Sequence, residues 1–123
     1  MTKILIIEDD SLIRELVENI LRQAGYVPIV AKDGLEGIAR FKAEAPALVI
    51  TDIIMPEKEG IETIIEIRRL SREVKIIAIS GGGWGGGGSE FLEMAEKLGA
   101  SAALAKPFRP AELVDTVARL LQA

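Results

Sequence analysis

Three short runs, Ile4 to Ile7, Leu48 to Ile50 and Ile76 to Ile79, are apolar at every position. A strand with one wet face alternates polar and apolar residues, whereas a strand covered on both faces does not. These three runs therefore belong at the centre of a parallel sheet. Longer amphipathic stretches separate them, and that alternation predicts strands joined by crossover helices. Five such strand and helix units can be traced. Tyr26 to Val30 includes Pro28, which cannot donate to a ladder, and Ala102 to Ala105 is built of weak strand formers. Both are expected at sheet edges.

The first helix should carry Leu12, Ile13, Leu16, Val17, Ile20 and Leu21 on one stripe, with Asp10 or Ser11 as its N-cap and Gly25 as its stop. Further helices are expected from Leu35 to about Ala43, from about Gly60 to Leu70 and from about Ser89 to Leu98, ahead of Gly99. A last helix starts at Pro110 and buries Leu113, Val114, Val117 and Leu120. The connection Gly81 to Gly88 holds seven glycines around Trp84, so its ordering is costly in backbone entropy.

At 123 residues the chain has the size of one domain, taken as residues 1–123. It lacks both cysteine and histidine, which excludes disulfides, thiolate or imidazole metal sites and histidine bases. Any metal must be a hard cation held by oxygen. The net charge of −4 disfavours nucleic acid and anionic lipid, so no direct binding to either is expected. No apolar run reaches the roughly 20 residues of a membrane span, and a cytoplasmic location is expected.

In a parallel, doubly wound sheet, ligands collect beyond the carboxyl ends of the strands. Here those ends read Glu8-Asp9-Asp10, Thr51-Asp52, Ser80 and Lys106-Pro107. Taken singly, each has a plain reading: a helix cap, a turn former, a loop serine, a solvated lysine. Taken together, they describe a phosphate site. Like charges 4 Å apart cost on the order of 4 kcal/mol at an effective dielectric of 20, and a hard divalent cation offsets that. Lys106 and Ser80 can bind further phosphate oxygens, leaving Asp52 as a nucleophile that forms an acyl phosphate.

The segments Ile4 to Asp10, Val49 to Pro56, Glu59-Gly60, Ile79 to Gly81 and Leu98 through Phe108 resemble those of response-regulator receiver domains. The resemblance implies a (βα)5 flavodoxin-like α/β fold with strand order 2-1-3-4-5. It implies Asp52 as phosphoacceptor, Ser80 as switch hydroxyl and Lys106 as the phosphate-binding lysine. It implies Mg2+ (or Mn2+) held directly by Asp9 and Asp52, through water by Glu8, and by the backbone carbonyl of Ile54. Asp10, one place further on, is assigned to capping. The implied partners are a sensor histidine kinase or histidine phosphotransfer protein and a downstream protein target. The implied chemistry is phosphorylation and dephosphorylation of the chain itself, with no separate substrate turned over. Ala103 stands where the family usually has an aromatic or histidine side chain, so activation is expected to order the Gly81 to Gly88 loop instead.

Gly81, Gly83 and Gly86 also fit G-x-G-x-x-G, but after the fourth strand and without a following G-K-[ST], which disfavours nucleotide binding. A dehalogenase-type phosphatase needs a second acid where Ile54 stands. The alternative within the family is a degenerate receiver acting only as an interaction module. The complete set Glu8, Asp9, Asp52, Ser80 and Lys106 argues against it.

Overall fold

The computed structural model describes residues 2–53, 59–80 and 87–122. The elements alternate as β1 (Lys3–Ile7), α1 (Ser11–Gln23), β2 (Val27–Ala31), α2 (Gly34–Glu44), β3 (Leu48–Asp52), α3 (Glu59–Leu70), β4 (Lys75–Ser80), α4 (Gly87–Leu98), β5 (Ala102–Ala105) and α5 (Pro110–Gln122). The strands are all parallel and lie in the order β2-β1-β3-β4-β5, with the two expected strands at the edges. Pro28 pairs with Ile4 on edge strand β2, where a missing N–H is tolerated.

Each face of the sheet has its own core. Leu5, Ile7, Val49, Ile76 and Ala78 project to one side, where Phe41, Ile64, Ile67 and Ala95 of α2, α3 and α4 cover them. Ile4, Ile6, Leu48, Ile50, Ile77 and Ile79 project to the other, beneath Val17 and Leu21 of α1 and Leu113 and Val117 of α5. This double coverage is why the central strands carry no polar alternation.

Two expectations need correction. Leu12 and Leu16 are 76% and 52% exposed rather than buried with the rest of their stripe. At about 100° per residue they lie on one flank of it, rotated away from the sheet by the register of Val17 and Leu21. Helix α4 starts at Gly87, close to the expected start near Ser89, so the last two glycines of the expected connection Gly81 to Gly88 are helical instead. The rest of the run, Gly81 to Gly86, lies outside the described residues, as do Ile54 and its expected metal-binding carbonyl.

Capping follows the local sequence. Asp10 accepts from the amides of Leu12 and Ile13 at 2.9 and 3.3 Å, and Gly25 takes the positive φ of 95° that turns the chain out of α1.

Candidate functional site

Strand register brings the polar strand ends together. Ile7 pairs with Thr51, so Glu8 follows beside Asp52; Asp52 pairs with Ile79, so Ser80 comes next along β4. Ser80 pairs with Ala105, and the Lys106 amide donates to the Ser80 carbonyl at 2.7 Å. Four residues distant in sequence, Glu8, Asp52, Ser80 and Lys106, thereby meet at one carboxyl edge of the sheet.

Glu8 and Asp52 are only 3% and 5% exposed, while Asp9 is exposed. One carboxylate oxygen from each of the three lies within 4.8 Å of the others. Lys106 Nζ sits between the two buried acids, 2.8 Å from Glu8 Oε1 and 2.8 Å from Asp52 Oδ2. Asp10 stays out of the cluster and caps α1, as the sequence predicts. Its amide nevertheless donates to Glu8 Oε2 at 3.2 Å, and Arg14 donates to the Glu8 carbonyl at 2.8 Å.

Charge in this pocket is incompletely balanced. Burial pushes the Glu8 carboxyl up to about 7; the Lys106 hydrogen bond opposes that rise, and the charge of Asp52 adds to it. Burial also works against the Lys106 ammonium, but its hydrogen bonds to Asp52 and Glu8 together with the charges of both acids outweigh it and raise the pKa. Once Glu8 is ionised, three carboxylates against one ammonium leave two negative charges in excess. An all-oxygen donor set with excess negative charge suits Mg2+ or Mn2+, so Glu8, Asp9 and Asp52 fit a hard divalent cation.

Ser80 Oγ is fully buried and is the one buried side-chain polar atom among the described residues without a hydrogen-bond partner. Orphaned buried hydroxyls are rare, and this one ends the strand beside Asp52. Ala103 is half-buried and pairs with Ala78, so this position between β4 and β5 has only methyl groups.

Two features escaped the sequence reading. Lys106, expected to bind a phosphate oxygen, also holds both acids through contacts spanning 98 and 54 positions that leave no local pattern. Gly60 lies against the back of the Asp52 peptide: a Cβ there would overlap the Asp52 carbonyl oxygen and fall 2.5 Å from Ile53 Cα. Its signals were a glycine in the first turn of a helix and the Glu59-Gly60 segment of the resemblance, neither of which names this contact.

Comparison with known proteins agrees with this fold. The family profile described as the response regulator receiver domain matches residues 4–118. The chemotaxis protein CheY of Thermotoga maritima is 34% identical over 94% of this chain and 93% of its own length. CheY of Halobacterium salinarum is 30% identical over 98% of both. The crystal structure of a response regulator receiver domain protein from Clostridium thermocellum superposes with a TM-score of 0.90 at 27% identity, covering 99% of this chain and 95% of the other.

Proposed function

The chain belongs to the response regulator receiver domain family of two-component signalling, and from that membership we propose that it accepts a phosphoryl group on Asp52 and so switches its binding to a protein target. The observation that carries this reading is Lys106 Nζ held at 2.8 Å from both Asp52 and Glu8, inside a cluster of three carboxylates. A permanent positive charge touches the proposed nucleophile, and the remaining acids are placed to neutralise more.

The donor is the phosphohistidine of a sensor kinase or of a histidine phosphotransfer protein. A carboxylate oxygen of Asp52 attacks phosphorus in line, the P–N bond breaks, and the imidazole nitrogen leaves with its electron pair and takes up a proton. Glu8, Asp9 and Asp52 would hold Mg2+ or Mn2+, which when bound supplies charge neutralisation at the phosphoryl oxygens. Lys106 passes from the Asp52 carboxylate to a phosphoryl oxygen, a change of partner that costs little because both are anionic. The Ser80 hydroxyl, which has no partner among the described residues, donates to another phosphoryl oxygen. Water then attacks phosphorus, releasing inorganic phosphate and restoring Asp52. The chain acts on its own phosphoryl group and turns over no separate substrate.

Incubation with acetyl phosphate and Mg2+, followed by intact mass measurement, is expected to show one added phosphoryl group. Asp52→Asn is expected to show none. A wild-type chain that takes no label from acetyl phosphate or from any kinase would make it an interaction module only, and label persisting in Asp52→Asn would reject Asp52.

A further inference from the structure

We propose that the groove between the carboxyl ends of α3 and α4 is a docking surface for an acidic, partly apolar segment of a partner protein. Ile65, Arg68, Arg69, Arg72 and Leu98 line this groove, whose volume is about 570 Å³. Three of the five are arginines and none is a carboxylate. Arg68 is fixed by the backbone: its Nε and Nη2 donate to the Gly99 carbonyl at 3.1 and 2.6 Å, and Nη1 donates to the carbonyls of Ser71, Arg72 and Val74. Carbonyl dipoles satisfy its donors without cancelling its charge.

Arg69 and Arg72 differ from Arg68 in being exposed, and among the described residues none of the three arginines forms an ion pair. The stretch from Arg68 to Lys75 holds four cations against one acid, Glu73, in a chain whose net charge is −4. The positive field is therefore local. Half-buried Ile65 and Leu98 add an apolar floor. Guanidinium forks pair bidentately with carboxylates, and arginines beside apolar side chains dominate many interfaces. An acidic segment with an apolar side chain matches both features. An extended nucleic acid matches less well, because the remainder of the chain repels it.

The groove also lies away from the phosphoryl chemistry. Helix α3 starts beside Asp52 and ends at Leu70, and β4 starts at Lys75 and reaches the site only at Ser80. A partner bound here leaves Asp52 accessible.

Fluorescence anisotropy with a labelled peptide of repeated Glu-Glu-Leu-Leu units tests the proposal, with a Gln-Gln-Leu-Leu counterpart and a single-stranded oligodeoxynucleotide as competing probes. The acidic peptide is expected to bind wild type, to lose about tenfold or more in affinity with R69E/R72E, and to weaken with salt. Far-UV circular dichroism of that variant should match wild type whether or not Asp52 is the phosphoacceptor, which separates failure here from failure of the proposed function. Four results would overturn the assignment: no peptide binding by wild type, equal binding of the Gln peptide, unchanged affinity in the double variant, or equally tight binding of the oligonucleotide. Self-association of the chain that R69E/R72E abolishes would give the groove to a second copy and would overturn it too.

Discussion

Burial holds the Glu8 carboxyl at about 7 against an ordinary value of 4.5, so between those pH values the folded chain keeps a proton that the unfolded chain has released. The fold must then lose stability as pH rises through that window, by on the order of 3 kcal/mol for an isolated group of this kind. In metal-free protein, denaturant titrations from pH 4.5 to 8 are expected to show Glu8→Gln with a flatter pH dependence and greater stability than wild type at the upper end. Parallel curves for the two proteins would reject the assignment. Ser80 leads to an opposite pairing of stability and function. Its buried hydroxyl has no partner among the described residues, so Ser80→Ala removes an unmet polar group and should leave the unphosphorylated chain as stable as wild type or about 1 kcal/mol more so. The same variant should accept phosphate from acetyl phosphate more slowly, as followed by intact mass against time. At this scale the sequence was legible where a residue acts on its neighbours: Asp10 caps the helix that starts beside it. The bond from Lys106 to Glu8 was not legible, because nothing within either local stretch encodes a partner 98 positions away.

Elements were easiest to read where burial is complete. The central strands are apolar throughout because helices cover both faces, and their existence and central position followed from that pattern alone. Helix α1 was read less well, since periodicity defines a stripe but not which edge of it meets the sheet; Leu12 and Leu16 fell on the exposed edge. The start of α3 depends on a contact rather than on propensity. Helix preference alone would make Gly60→Ala stabilising by about 1 kcal/mol. The methyl group would instead meet the Asp52 carbonyl and Ile53 Cα, which are backbone and cannot rotate away. Gly60→Ala is therefore expected to destabilise by roughly 1–3 kcal/mol and to slow phosphorylation by displacing Asp52. Urea denaturation and acetyl phosphate labelling measure the two effects, and a stabilised variant with normal labelling would show that α3 can shift freely.

Across the whole molecule, the two ends of the sheet carry different tasks. The carboxyl edge collects Glu8, Asp9, Asp52, Ser80 and Lys106, the residues of the proposed phosphotransfer, with an incomplete charge balance and a hydroxyl that has no partner among the described residues. Strand order decides this gathering, and the apolar pattern could not supply that order; it came from the resemblance to receiver domains and is the order observed. The opposite end is held by Arg68, whose donors reach carbonyls in the turn after α3 and at Gly99 after α4. Backbone acceptors leave no mark in a sequence, so this role was invisible beforehand. Arg68→Met keeps the apolar stem that lies against Gly99 but removes every one of these donors. It should cost roughly 2–4 kcal/mol, since several carbonyls at helix ends lose a charged partner and only some regain water. The residues of the proposed phosphotransfer take part in none of these bonds. At a temperature where both proteins are folded, Arg68→Met is expected to be phosphorylated at a rate close to wild type, while its denaturation midpoint falls well below. An unchanged midpoint would show that the carbonyl bonds contribute nothing, and a rate loss in step with the stability loss would show that the two ends of the sheet are coupled.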